Sequence, residues 1–430
     1  MYKASQLAGF FIGISFLLSI TAYFLNPQYL IYAGILAWIA MIILFSSLKK
    51  KKMLNIFLLL SVINFSISYY NDFTIDFFRV FTVNQYMLTL LIGVGFLRLI
   101  TNPKKDFSHN LPKGITSFMK TYVSLHLFGS VINMSSIILV GDKLYKKSPL
   151  SDSQIIMLTR SFASDALWSP FFVAFAAMIT YAPHVKTPVI LVIGIFLALV
   201  GFLLTYREVI KDPKLKIETF LGYPMSYDSL YLPFALALLV LVANHFFPHI
   251  KIIILIPVFS IILVLCVLLI KKGEISAQRA LWHHVVHELP NMKSELSLFL
   301  IAGMFGVSAG SILAGLHLRM PFENFEWMEA SMLLAGFIIL SFIGVHPIIT
   351  IATIGNLFAD VNNTLLAAVV LMAWSTSVST SPFSGVNLTL ISRYNLEGSR
   401  IFKLNIFYTL KMYIAYTFCL FLISKYLHVS

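Results

Sequence analysis

Apolar stretches about as long as a lipid bilayer is thick recur from one end of this sequence to the other, with no large polar domain between them. The first runs from Leu7 to Leu25, and the next begins near residue 29. A helix needs about 20 apolar residues to cross the hydrocarbon of a membrane. The expected fold is therefore an all-α polytopic membrane protein with about 10–11 transmembrane helices and some shorter intramembrane segments. The composition agrees: 59% of residues are hydrophobic and 11% charged, whereas a soluble domain carries about a quarter charged residues. No small-residue cleavage site separates the first two stretches, so the first reads as a retained span rather than a signal peptide.

The formal charge of +13 does not point to nucleic acid, because the basic residues lie just beyond the ends of apolar segments. That is the positive-inside distribution, with contacts to anionic headgroups. Lys49 to Lys52 set the second loop inside, and spans near 7–25, 29–48, 53–70 and 84–100 lead to Arg98, Lys104 and Lys105. A span near 188–206 ends at Arg207, Lys211, Lys214 and Lys216, and spans near 229–247 and 252–270 return to Lys271, Lys272 and Arg279. Arg393, Arg400 and Lys403 precede a last span at 404–424. Of 31 basic residues only Arg79, Lys186, Lys251, Arg319 and Lys425 fall outside, leaving 26 inside. The N-terminus is thus expected in the cytoplasm and the C-terminus outside, in a plasma membrane; the Lys, Ile and Phe richness suits a low-GC bacterium. Cys266 and Cys419 lie within apolar runs and read as buried thiols, not as a disulfide or a zinc site.

The polar segment 207–227, with Pro213, Gly222 and Pro224, divides the chain into an N-terminal helix pair (1–52), a first repeat (53–206) and a second (228–424). Two matches cross that divide. Ser164-Asp165-Ala166-Leu167-Trp168-Ser169-Pro170-Phe171 aligns with Thr376-Ser377-Val378-Ser379-Thr380-Ser381-Pro382-Phe383, and Met119–Leu125 with Met292–Leu298. By the charge count the first Ser-Pro-Phe segment runs outward and the second inward, the relation of inverted repeats.

Proline within a helix removes a donor and clashes with the preceding turn, and in hydrocarbon the freed carbonyls need other partners. Two broken helices are therefore expected, at Ser169-Pro170 and Ser381-Pro382, although serine-satisfied kinks would read the same way. Ser164 and Asp165 precede the first. Asp165, the only carboxylate between residues 161 and 181, would bind sodium or carry a proton, or else pair structurally with Arg160. Ser377, Ser379, Thr380, Ser381, Ser384 and Asn387 offer hydroxyls and an amide at the second, fit for a hard cation or an oxyanion. A small-residue packing face is the competing explanation. Two segments read as re-entrant hairpins: 121–150 around Asn133, Ser135 and Ser136, where a tilted full span is the alternative, and 331–358 around Gly344 to Pro347 with Thr350, Thr353 and Asn356. His346 would contact solute or relay a proton, and His126 is a weaker candidate. His283, His284, His287 and Glu288 match no zinc-protease order and read as headgroup-facing. No phosphate loop of the Gly-x-x-x-x-Gly-Lys type occurs.

These features resemble the ion transporter superfamily, which includes divalent anion/sodium symporters, arsenite-type permeases and the large permease subunits of TRAP transporters. The resemblance covers roughly residues 53–424. It rests on Ser169-Pro170 and Ser381-Pro382 as break motifs, followed in the second by Gly385 and Asn387. The Ser-Asn-Thr hairpin triplets of the symporters are absent, with Asn133-Met134-Ser135-Ser136 and Thr350 to Thr353 as loose equivalents. It implies two inverted repeats, each with a hairpin and a broken helix, and a sodium or proton site formed by the tips and the unwound carbonyls.

The expected function is ion-coupled secondary transport of a small anionic solute, with one structural unit moving against a scaffold. Beyond Na+ or H+ as coupling ion no cofactor is expected. The expected partners are the solute, the bilayer and a second copy of the chain in a homodimer. The alternatives are a flippase or exporter of lipid-linked intermediates, an intramembrane enzyme using His346 or the 283–288 cluster, and a channel.

Overall fold

The computed structural model describes residues 2–48, 51–101, 111–223, 231–318, 322, 324–358 and 361–426. Lys49, Lys50, Lys104, Lys105, Arg319, residues 224–227 of the linker and the side chain of Asn356 lie outside the described residues. Among those described there is no β-strand. Among the described residues eight helices are long and apolar enough to cross a membrane, and the shorter apolar helices are Tyr29–Phe45, Ala235–Phe246 and Trp327–Phe342. The chain is a multi-pass α-helical membrane protein. Its large apolar side chains stay exposed along the outer faces of the helices, as at Leu59, Val62, Ile63 and Ile67. In water such a surface would aggregate; against lipid tails it costs nothing.

The helices gather into two compact units, and neither follows the linear division at 207–227. One comprises 1–102, 232–319 and 348–357; the other comprises 103–231, 320–347 and 358–430. Each draws on both sides of the linker. The segment 331–358, expected as one hairpin, is divided between the units after Pro347. The Met119–Leu125 and Met292–Leu298 match falls on helices of different units.

The first unit is held by small residues and buried polar bonds, the usual adhesive where no hydrophobic effect separates helix from lipid. Tyr2–Phe24 packs along Tyr29–Phe45. Ser15 Oγ donates to the Ala33 carbonyl at 2.8 Å, while Gln85 Nε2 donates to Ser15 and Ser19 at 2.7 and 2.9 Å. Gly93 lets Gln85–Phe96 lie directly against Pro257 of Ile252–Lys272.

The second unit is built around Asn363–Thr380, whose residues from Thr364 onward are all buried. The helix is started by Asn362, whose side chain accepts from the Thr364 and Leu365 amides. Around it pack Asp152–Ala163, Val173–Tyr181, Thr187–Lys211, Trp327–Phe342 and Gly398–Tyr426. Asp152–Ala163 begins with a capping box: the Ser151 hydroxyl accepts from the Gln154 amide, and the Gln154 side chain accepts from the Ser151 amide. A hairpin of Gly114–Ile132 and Met134–Tyr145 completes the unit, turning at Asn133 with φ +52° and ψ −137°. Asparagine tolerates positive φ better than most residues, which suits this one-residue turn.

Candidate functional site

The Ser-Pro-Phe motifs sit where two helices of the second unit give out. Asp152–Ala163 tightens into a 3-10 turn at Ser164–Leu167, leaves helical geometry at Trp168 and resumes as Val173–Tyr181. Asn363–Thr380 stops at Ser381, and helix resumes as Gly385–Tyr394. In both the cause is local: proline offers no donor and pushes the residue before it out of the helical region. The local repair is shared as well. The Phe171 amide donates to Ser169 Oγ at 3.2 Å, and the Phe383 amide donates to Ser381 Oγ at 3.4 Å. Helix restarts four residues after the serine in each, at Val173 and Gly385.

The hairpin tip and the first interruption each satisfy a backbone carbonyl of the other. Ser169 Oγ donates to the Ser130 carbonyl, and Asn133 Nδ2 donates to the Phe171 carbonyl at 3.2 Å. Ser136 Oγ turns back to the Asn133 carbonyl at 2.7 Å, and Ser135 is half-buried beside it. The Ser164–Leu167 turn also packs on Asn363–Thr380, and the Met134 side chain approaches Gly385. The tip of one segment and both interruptions thus belong to a single neighbourhood within this unit.

Asp165 lies in the middle of it and is fully buried. It does not pair with Arg160, the structural partner considered from sequence. Arg160 donates to Glu208 at 2.8 Å, Asn405 Oδ1 at 3.0 Å and the Leu404 carbonyl at 2.7 Å, and stacks over the Tyr408 ring. Five residues along a helix is about 500°, which puts the two side chains about 140° apart. The partner of Asp165 is His126, whose Nδ1 stands 2.6 Å from Oδ1. Even so, neither carboxylate oxygen accepts a well-directed hydrogen bond, and Oδ2 occupies the space that a side chain at Gly129 would fill.

The histidine's tautomer follows from Trp168. An indole N–H can only donate, and Trp168 Nε1 lies 3.1 Å from His126 Nε2. Nε2 must therefore accept, and Nδ1 carries the hydrogen. The Ser161 carbonyl and Ser164 Oγ both lie 3.1 Å from Nδ1. Serine, histidine and aspartate are thus together, but serine and aspartate address the same ring nitrogen. A nucleophilic triad needs them on opposite nitrogens, so this arrangement does not activate Ser164.

At the second interruption much of the hydroxyl run is turned to its own backbone. Thr380 Oγ1 donates to the Thr376 carbonyl at 2.6 Å, as does Ser379 Oγ at 3.1 Å. Ser384 caps the resumed helix, accepting from the Asn387 amide at 3.1 Å and donating to the Val378 carbonyl at 2.9 Å. Asn387 Nδ2 donates to the Ser381 carbonyl at 2.8 Å. Two buried oxygens remain without a partner, Ser377 Oγ and Asn387 Oδ1. Ser377 is the residue that the motif match sets opposite Asp165, so equivalent positions in the two segments both present unsatisfied buried oxygen. Pro170 and Pro382 are half-buried at their respective interruptions.

The remaining candidates are less concentrated. The buried His346 sets its ring edge-on to Trp374, with centroids 4.7 Å apart. Thr350 and Thr353 belong to the other unit, where Thr353 Oγ1 donates to the Ile349 carbonyl at 2.7 Å and Thr350 Oγ1 has no partner. In the 283–288 cluster, Glu288 pairs with Arg98 at 3.3 Å, and the His283 and His287 rings lie 4.6 Å apart. Neither a family model nor a curated protein matches the chain.

Proposed function

We propose that this chain is a secondary transporter, coupling the movement of a small anionic solute across the plasma membrane to a sodium ion or a proton by alternating access. The observation that carries the reading is the buried, incompletely satisfied Asp165 at an interrupted intramembrane helix, with the unsatisfied Ser377 at the matching position of a second interruption. Buried polar groups are ordinarily paired, and a carboxylate at membrane depth is expensive enough to mark an ion path by default. A bound cation or proton is what would complete Asp165.

The helices that restart at Val173 and Gly385 present N-terminal amides and a positive dipole end toward the interruptions, a setting for an anion without a fixed cation. Opposite orientation of the two segments, as the positive-inside threading gives it, would make them inverted repeats with broken helices like those of the ion transporter superfamily. Units drawn from both sides of the linker suit that arrangement, because elements from each repeat then share one environment. An N-terminus in the cytoplasm and a C-terminus outside belong to the same reading.

The test is the melting temperature of the purified protein against sodium, potassium and pH, with Asp165→Asn and Ser381→Ala alongside the parent. A rise with sodium or with protons, blunted in either variant, supports an ion site at the interruptions. Indifference to sodium together with indifference to pH, in the parent and in both variants, would overturn it.

A further inference from the structure

The transport reading leaves the coupling ion open, and the surroundings of Asp165 discriminate between the two. A hard cation collects several oxygen ligands around itself. Oδ2 of Asp165 faces Gly129 and the Phe162 ring, with Ser136 Oγ also beside that space. The oxygens at the hairpin tip are turned to protein partners. Ser136 Oγ is bonded to the Asn133 carbonyl, the Gly129 carbonyl accepts from the Asn133 amide, and the Ser130 carbonyl accepts from Ser169. Such a site has little to offer sodium, whereas a proton needs one oxygen and no cage.

Resting on the transport reading, we infer that the coupling ion is a proton held by the His126–Asp165 pair, and that loading it releases Trp168 from His126. Before loading, the imidazole is neutral with its hydrogen on Nδ1, and Nε2 accepts from Trp168. A proton arriving at Nε2 is balanced by transfer of the Nδ1 hydrogen to Oδ1, 2.6 Å away. The products are a neutral imidazole protonated at Nε2 and a neutral carboxyl group. One proton has been gained, and the buried negative charge is gone. Nε2–H then confronts the indole N–H, two donors without an acceptor, and that bond breaks. Trp168 immediately precedes Ser169-Pro170, so protonation reaches the helix interruption through one residue.

Tyr122 is the one near neighbour, its buried hydroxyl without a hydrogen-bond partner; the other charged and titratable groups on the elements packed around the pair, the exposed Glu218 of Ile217–Thr219 among them, are committed or remote. On its own helix His126 has Tyr122, buried one turn earlier, and the exposed Lys120. Asp152–Ala163 contributes Arg160, which is bound to Glu208, and Asp152, which is paired with Arg400. Thr187–Lys211 carries Tyr206, Arg207, Glu208 and Lys211 in its last two turns, with Lys411 near Glu208. Tyr181 ends Val173–Tyr181. Met134–Tyr145 holds Asp142, paired with Arg393, together with Lys143 and Tyr145. Asn363–Thr380, against which the turn packs, has no titratable residue.

Tryptophan fluorescence of the purified protein, followed across pH in sodium chloride and in choline chloride, reads the inference directly. Trp168→Phe identifies the share of residue 168 among the five tryptophans. The expected result is a one-proton transition that belongs to Trp168, has the same midpoint in both salts, and vanishes in His126→Gln and Asp165→Asn. Infrared difference spectra of the parent and of Trp168→Phe provide a readout that does not depend on the histidine variant folding. A buried protonated-carboxyl band should appear with falling pH and be missing in Asp165→Asn. A midpoint moved by sodium, a transition that survives His126→Gln, or no carboxyl band would overturn the inference. Stabilisation by a panel of small carboxylates that follows sodium and ignores pH would overturn it while leaving transport standing. A titrating pair in a protein whose vesicles take up none of the panel would overturn the coupling and the transport reading together, leaving a bare proton-binding pair.

Discussion

Arg160 and Asp165 are both fully buried and only five residues apart, yet replacing them should have opposite consequences. Arg160 spends its guanidinium on Glu208, Asn405 and the Leu404 carbonyl and lies 4.2 Å from the Tyr408 ring centroid. Arg160→Met would fill much of the volume but strand those acceptors, which costs about 3–5 kcal/mol when one partner of a buried pair is removed. Asp165 has one close neighbour of donor type, His126 Nδ1 at 2.6 Å, and no well-directed hydrogen bond to either oxygen. Asp165→Asn keeps the shape and removes the penalty of a poorly compensated buried charge, about 2–4 kcal/mol. Against that, an amide N–H facing Gly129 would lack an acceptor, at about 1–3 kcal/mol. The difference runs from a loss of about 1 kcal/mol to a gain of about 3 kcal/mol, centred on a gain of about 1 kcal/mol. Unfolding by titration with a denaturing detergent, in a mild-detergent background at neutral pH, measures both. An Asp165→Asn protein destabilised as much as Arg160→Met would mean that Asp165 is half of a structural ion pair, and the reasoning would fail.

Three further outcomes follow from local geometry. In Gly129→Ala the new methyl would meet Asp165 Oδ2 and the Phe162 ring; the cost should be about 1–3 kcal/mol, with loss of any ion-dependent stabilisation, read by thermal melting. Gly344 has φ +100° and leaves no room for a Cβ beside the Phe383 ring, so Gly344→Ala should cost at least about 1–3 kcal/mol in the same assay. Ser384→Ala removes the cap of the resumed helix and should lower stability by about 1 kcal/mol; a null effect would mean the restart at Gly385 does not depend on that bond.

The spans were legible because lipid selects for uninterrupted apolarity, a signal that reads along a single stretch of chain. Where helical geometry lapses, at Trp168 and at Ser381, the cause is equally local, since Pro170 and Pro382 act on their own neighbours. The partnership at Asp165 was not. Arg160 is close in sequence but lies on another face of the helix, whereas His126 reaches Asp165 from the adjoining hairpin. The usable signal was present in weak form: a lone histidine within 121–150 and a lone carboxylate within 161–181, two groups that each need a partner in hydrocarbon. Trp168 gave no sign at all, because an indole in an apolar stretch is indistinguishable from packing until its N–H finds an acceptor. The grouping of helices was hidden too. Thr350 and Thr353 fall in a different unit from His346, a matter of tertiary contacts that no local pattern along 331–358 encodes.

The most direct test of the central claim is accumulation of small radiolabelled carboxylates by proteoliposomes under an imposed proton or sodium gradient, with parent and Asp165→Asn protein compared. Coupled transport predicts that at least one solute accumulates only while the gradient lasts, that an ionophore abolishes the effect, and that Asp165→Asn does not accumulate it. Gradient-driven uptake that survives in Asp165→Asn, or no uptake of any solute under either gradient, would contradict it.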